Sequence, residues 1–306
     1  MRQLIVDVII PTYKPDKKFE LLINRLLKQS YPIHRIHVIN TETNIFPEEL
    51  CWHNEKMDVT HISPDAFDHG ATRDMGAASS NADIMIFMTQ DAVPANGKLV
   101  EELLRPFEDE QVAITYGRQL PEKDCKIIER YTRSFNYPQI SKVKSEEDIK
   151  KLGIKTFFCS NVCAAYKKSI YDEMGGFVKH TIFNEDMIFA GQTIKAGYKI
   201  AYVAEAEVIH SHNYGNIQQF KRNFDLAVSQ KDHPEVFEGI KSEDEGIKLV
   251  KQTIKYLLKI KKPWLIFSLV VKSGFKYMGF KLGKNYKRLP NWLLIKCTMN
   301  PRYWSV

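Results

Sequence analysis

Residues 84–91 read Ile-Met-Ile-Phe-Met-Thr-Gln-Asp. An unbroken apolar run of this length is a strand buried on both faces, and the polar residues after it mark its carboxyl end. Residues 6–10 form an earlier strand of the same kind and stop at Pro11-Thr12-Tyr13. Residues 17–29 carry Phe19, Leu22, Ile23, Leu26 and Leu27 at helical spacing. Strands follow at 36–39 and 57–62, then a small-faced helix at 71–80. Beyond residue 91 come a helix at 99–107 and a strand at 113–117. Strands alternating with helices predict an α/β fold, a mostly parallel central sheet flanked by helices.

Residues 119–156 are polar and irregular, with a helix expected after the capping-box pattern Ser145-Glu146-Glu147-Asp148. A helix at 168–174, a Gly175-Gly176 turn and a helix at 185–196 capped by Gly197 come next. Two short strands are expected at 199–203 and 207–210. From Gly246 the pattern changes. Lys248, Lys251, Lys255, Lys259 and Lys262 recur every three or four residues opposite Ile247, Val250, Ile254, Leu257 and Leu258. That is a basic amphipathic helix, followed by Trp264, Phe267, Phe275, Tyr277, Phe280, Trp292, Tyr303 and Trp304 among further lysines.

Residues 247–306 hold 14 Lys and Arg and no Asp or Glu, whereas residues 1–246 hold 30 basic and 37 acidic residues. A mildly acidic body thus carries a basic tail, which points to a polyanionic partner. The longest late apolar stretch, residues 264–271, is far below the roughly 20 residues that span a bilayer. The amino-terminal run carries Asp7 and stops at Pro11, unlike a signal peptide. The expectation is a cytoplasmic protein. Cys51, Cys125, Cys159, Cys163 and Cys297 form no C-x-x-C pair and read as idle or buried thiols.

In an open α/β sheet ligands sit beyond the carboxyl ends of the strands. Those positions hold Pro11-Thr12-Tyr13, Asn40-Thr41-Glu42 and Thr89-Gln90-Asp91. None is a dinucleotide fingerprint or a P-loop. Asp91 is placed to hold Mg2+ or Mn2+ against a diphosphate, or to cap a helix. His210 and His212, in an H-x-H at a strand end, share one face and add nitrogen ligands that favour Mn2+. Glu185 and Asp186 open a helix, where acids serve the helix dipole or act as a general base. In His69-Gly70-Ala71-Thr72-Arg73-Asp74, Gly70 would let the backbone approach a ligand and Arg73 would grip phosphate or base. Phe157, Phe158, Asn161, Tyr131 and Tyr137 offer rings and an amide to an acceptor sugar, or pack a core.

Taken in order, V-I-I-P-T-Y, F-D-H-G-A-T-R-D, I-F-M-T-Q-D-A, G-G-F, N-E-D-M-I-F-A and H-S-H-N-Y-G resemble the family 2 glycosyltransferases of GT-A fold, most closely the bacterial rhamnosyltransferase branch. The resemblance spans residues 5–225. It implies that Asp91 is the second carboxylate of the metal-binding D-x-D motif and Asp186 the catalytic base. Arg73, Thr12 and Asn40 would line the nucleotide pocket with Pro11, Tyr13, Thr41, His69, Gly70 and Gln90. His210 or His212 would complete the metal shell. Thr89 replaces the first D-x-D carboxylate, and Asn40-Thr41 replaces a pair of aspartates. The resemblance further implies an inverting transferase of polysaccharide synthesis, with deoxythymidine diphosphate β-L-rhamnose (dTDP-rhamnose) the favoured donor over a uridine diphosphate sugar.

The expected organisation is a catalytic domain over 1–225, with a nucleotide-sugar half at 1–118 and an acceptor half at 119–225. A helical basic region over 226–306 would meet an anionic membrane surface, bringing the protein to the inner face of the plasma membrane and to a glycan or lipid-linked glycan acceptor. Packing on the body and a homo-oligomer interface are the other uses of such a tail. A nucleic-acid partner is not expected, given the acidic body and ordered cleft motifs. A non-catalytic sugar- or nucleotide-binding protein on the same scaffold is the competing class, kept open by Thr89.

Overall fold

The computed structural model describes residues 3–42, 46–47, 49, 54–240 and 243–304. Its strands are β1 (Val6–Tyr13), β2 (Arg35–Thr41), β3 (Met57–Ile62), β4 (Ile84–Met88), β5 (Val93–Pro94), β6 (Val112–Leu120), β7 (Lys142–Lys144), β8 (Cys163–Lys167) and β9 (Lys199–Ile209). The first helices are α1 (Lys17–Leu26), α2 (His69–Ala78), α3 (Leu99–Leu104), α4 (Ile127–Asn136), α5 (Ile149–Leu152) and α6 (Lys168–Glu173). They are followed by α7 (Glu185–Lys195), α8 (Asn216–Asp232), α9 (Pro234–Phe237), α10 (Glu243–Lys259), α11 (Leu265–Lys284) and α12 (Asn291–Cys297).

One sheet runs β3-β2-β1-β4-β8-β6-β9-β5, with β7 on β9. From β3 to β4 every pairing is parallel, as the alternating pattern predicts. Beyond β4 the sheet is mixed. β8 enters antiparallel between β4 and β6, and β5 and β7 pair antiparallel with β9. Apolar runs identify buried strands but carry no direction, so sequence alone does not reveal the inserted β8. The strands expected at 199–203 and 207–210 form the single strand β9, whose register against β6 jumps between Gly117 and Arg118. A bulge of this kind bends a strand without ending it. Ser145 and Asp148 form the expected capping box.

Two apolar clusters cover the two faces of the sheet. α1 and α3 pack Phe19, Leu22, Leu99 and Leu103 against Val8, Ile86 and Val208. The opposite face carries rings, with Phe87, Tyr166, Tyr171, Phe177 and Phe189 in mutual edge and tilted contact. Cys125, Cys159, Cys163 and Cys297 are free and buried. Cys51 lies outside the described residues.

The tail is docked on the body. α11 crosses α8 so closely that a Cβ on Gly279 would stand 2.1 Å from the Phe220 carbonyl oxygen, and one on Gly283 2.3 Å from that of Phe224. A third cluster gathers Ile182, Phe224 and Val228 with Leu294 and Cys297 of α12. Residues 225 and 226 fall inside the continuous helix α8, so a division there does not follow an element boundary. Among the described residues no helix is long and apolar enough to cross a membrane. Gly279→Ala is expected to destabilise the protein by about 1–3 kcal/mol, the usual cost of forcing a methyl group into a filled space. Urea unfolding measures it, and an unchanged midpoint would contradict the close crossing.

Candidate active site

The turn before α7 sets the first pair of carboxylates. Gly175 and Gly176 both take positive φ, 82° and 74°. A Cβ on Gly176 would also stand 2.3 Å from Asp74 Oδ1. Asp74 accepts the Tyr171 hydroxyl at 2.6 Å and the Phe177 N–H at 3.3 Å, tying this turn to α2. Gly70 is required by the same contact, because its Cβ would lie 1.9 Å from the Val178 carbonyl oxygen. Its missing side chain thus admits another loop of the protein, rather than the ligand expected from the sequence.

Asn184, at φ 76°, then places Glu185 and Asp186 in the first turn of α7. Asn161 holds both: its side-chain amide donates to Glu185 Oε1 at 3.1 Å, and its backbone N–H donates to Asp186 Oδ2 at 3.0 Å. The Tyr166 hydroxyl donates to Asn161 Oδ1 at 2.7 Å and fixes the amide's orientation. The side chain expected to face an acceptor is therefore spent on Glu185 and Tyr166. Arg73 stands 3.2 Å from Glu185 Oε1, with both side chains almost fully buried. Its Nη1 also donates to the His69 carbonyl at 2.9 Å, while its Nε has no partner. Asp186 has no ion pair among the described residues. Burial, then the Glu185 charge beside it, push its carboxyl well above the usual carboxylate range, against two backbone N–H bonds that favour the anion. The two neighbours thus differ: Glu185 faces the Arg73 guanidinium, whereas Asp186 is held by backbone N–H groups alone.

A second cluster lies at the ends of β4 and β9. The Nε2 atoms of His210 and His212 are 3.6 and 3.5 Å from Asp91 Oδ2. One ligand atom from each of the three lies within 4.8 Å of the others. His210 Nδ1 faces Gln119 Oε1 at 3.1 Å. Gln119 turns its amide nitrogen to the hydroxyls of Tyr137 and Ser160, and its oxygen also accepts Arg133. That oxygen calls for a proton on His210 Nδ1, which leaves the Nε2 lone pair directed to the cluster. Burial holds both imidazoles below the ordinary histidine range, His210 far below it. Two neutral nitrogens and one carboxylate oxygen fit a divalent cation of the Mn2+ type.

The remaining expected residues fall into two groups. Tyr13, Thr41 and His69 line a cleft of about 810 Å³, together with Arg222, Asp225 and Asn300. Gln90 clasps the Tyr13 backbone, accepting its N–H at 2.7 Å and donating to its carbonyl at 3.0 Å. Pro11 sits within β1 opposite Ile39. Thr12 and Asn40 are buried and bonded to each other at 3.0 Å, and Asn40 also reaches His61. Their side chains tie β1, β2 and β3 together instead of facing a nucleotide. Phe157 and Tyr137 are core residues, and Phe158 packs on Tyr116 and Tyr137. Tyr131 stacks on Tyr256 of α10, with centroids 4.4 Å apart, and lines a smaller cavity beside Gln119. Gln119 was missed by the sequence reading, although it stands near the carboxyl end of β6. The closing of the cleft by residues 299–303 had no sequence signal.

The family model for glycosyl transferase family 2 matches residues 7–175. The chain belongs to that family. Two relatives match it over most of their length. The O-antigen chain rhamnosyltransferase RfbN of Salmonella typhimurium is 38% identical over 304 residues, 98% of this chain and 96% of the relative. The O-antigen chain rhamnosyltransferase WbaN of Salmonella anatum is 44% identical over 248 residues, 80% of this chain and 78% of the relative. Among solved structures, the mannosyltransferase PcManGT from Pyrobaculum calidifontis, in complex with GDP-Man and Mn2+, aligns with TM-score 0.60 at 13% identity, covering 96% of this chain and 79% of its own. TarS 1-349 of S. aureus, in complex with UDP-GlcNAc, aligns with TM-score 0.56 at 12% identity, covering 93% and 92%. These neighbours carry the GT-A fold. As a family 2 member the chain is an inverting glycosyltransferase of polysaccharide synthesis.

Asp186→Asn is expected to lower transfer about 10²-fold or more, the range of general-base loss. In the wild type, activity should fall as pH drops through a value above the ordinary carboxylate range, because a base must be ionised to act. The stability sign is opposite. A raised carboxyl pKa favours the folded state below the unfolded carboxylate pKa, and that contribution is lost as pH rises through the folded pKa. Asp186→Asn should therefore raise Tm by a few degrees at alkaline pH. A pH–rate profile and thermal melts check the two signs.

Proposed function

We propose that the protein transfers L-rhamnose from dTDP-β-L-rhamnose to a growing O-antigen-type glycan. The observation that carries the donor is the likeness, over 98% of the chain, to a relative named as an O-antigen chain rhamnosyltransferase. Asp91, His210 and His212 would hold Mn2+ or Mg2+, and such an ion when bound neutralises charge on the departing diphosphate. Asp186 accepts the proton of an acceptor hydroxyl, whose oxygen attacks C1 from the face opposite the leaving group. The C1–O bond to the diphosphate breaks in the same displacement, and a β-donor yields an α-linkage. Arg73 keeps Glu185 from competing for the proton. The cavity beside Tyr131 and Tyr256 is suited to an acceptor sugar, with Arg118 and Arg130 as donors around its tyrosine walls.

The tail is read as resting on an anionic leaflet, with the protein cytoplasmic and its acceptor a lipid-linked glycan. The support is charge and exposure together. Trp264, Phe267, Val270 and Tyr277 are all more than half exposed, in a region free of acids. Phe267, Val270, Gly274 and Tyr277 follow one another at helical spacing along α11.

Thermal melts with Mn2+ and a panel of nucleotide sugars test the donor. A stabilisation confined to dTDP-rhamnose, dependent on metal and lost in His210→Ala, is the expected result; a response to uridine diphosphate sugars alone would overturn it. For the tail, Trp264→Ser with Phe267→Ser should cut co-sedimentation with phosphatidylglycerol vesicles several-fold and leave Tm unchanged. Truncation is a poor test, because it would remove Asn300 and Tyr303 from the cleft.

A further inference from the structure

Helices α4, α8, α10 and α11 enclose a second cavity of about 460 Å³, apart from the cleft. Its walls are apolar, with Ile128 of α4, Leu226 of α8, Val250 of α10, and Leu269 and Phe280 of α11. Ile247 and Tyr277 line it and are also more than half exposed, so the apolar lining runs out to the surface. Three lysines belong to the same lining: Lys251, Lys272 and Lys276. Lys272 and Lys276 have no hydrogen bond or ion pair among the described residues. The one acid in the lining, Glu129, is already paired with Arg133 at 3.4 Å. Burial draws the Lys276 ammonium below the ordinary lysine range, against the pull of the Glu129 charge in the same lining. An apolar chamber that opens to the surface and sets three lysines against one acid, itself shared with Arg133, is complementary to an amphiphile with an anionic head.

We propose that this cavity takes up one acyl chain of an anionic phospholipid, with the lipid phosphate against Lys272 and Lys276. The inference rests on the reading of the tail as a membrane-facing element and adds a specific lipid site to it. A lipid bound this way bridges α11 to α4. Arg133 of α4 reaches Gln119 and through it His210, so the site adjoins a wall of the reaction centre.

Titration of the full chain with monomeric dihexanoyl phosphatidylglycerol, followed by calorimetry, tests the site. Saturable one-to-one binding is expected. The Lys276→Gln variant should bind about tenfold more weakly, the loss of one charge-assisted contact, with Lys276→Arg restoring affinity, and dihexanoyl phosphatidylcholine should bind more weakly because its choline cation is repelled by the lysines around the phosphate. Ser273→Phe, which fills the chamber from α11, should abolish binding at an unchanged Tm. Glycerol phosphate binding as tightly as the lipid would overturn the proposal, since the chain would then contribute nothing. So would wild-type lipid affinity in Ser273→Phe. Failure of the protein to sediment with vesicles, while the short-chain lipid still binds and Ser273→Phe abolishes it, would overturn the membrane reading and keep the site.

Discussion

Two acids at adjacent positions cannot both be buried and ionised without an answering cation. Glu185 and Asp186 stand in that position at the head of α7, and Arg73 answers one of them. The surrounding side chains are arranged around this pairing. α2 must lie where Arg73 reaches Glu185, so Gly70 admits Val178 and Asp74 anchors the Gly175-Gly176 turn. Asn161 must present both its backbone and its amide, so Tyr166 stands beneath it in the aromatic layer. An isolated buried ion pair is a weak source of stability. Here it answers one carboxylate of the two and leaves Asp186 without an ion pair among the described residues.

The metal-type cluster follows the same logic with nitrogen in place of oxygen. Gln119 orients His210, and Tyr137, Ser160 and Arg133 orient Gln119. Of the three candidate ligands, His210 has its direction set through these four residues. Thr89 stands where a carboxylate is common, and its buried hydroxyl has no partner. Two imidazoles just past the end of β9 would supply, to an ion held there, the donors that Thr89 does not.

Much of this was legible in the sequence. Continuous apolar runs mark strand ends with little ambiguity, and polar residues just past those ends include Asp91, Gln90 and Thr41. The H-x-H pair was legible for the same reason, and Glu185-Asp186 as the acidic opening of a helix. What sequence did not convey is which polar side chains look inward. The resemblance placed Asn40 and Thr12 in the nucleotide pocket, and the Asn161 amide was open to an acceptor sugar, yet each is buried on protein partners. The antiparallel β8 was hidden because burial on both faces erases the signature of strand direction. The docking of the tail did leave a trace, the four-residue spacing of Gly279 and Gly283. It was masked by the surrounding lysines, whose charge suggested a surface rather than a seam.

That seam bears on how such enzymes diverge. Because α11 lies against the backbone of α8 and the last described turn closes the cleft, the tail is not a detachable module. Exchanging it between relatives would demand matching changes at Phe220, Phe224 and the cleft wall. A chimera that respects the fold must therefore inherit α8 and everything after it from one parent.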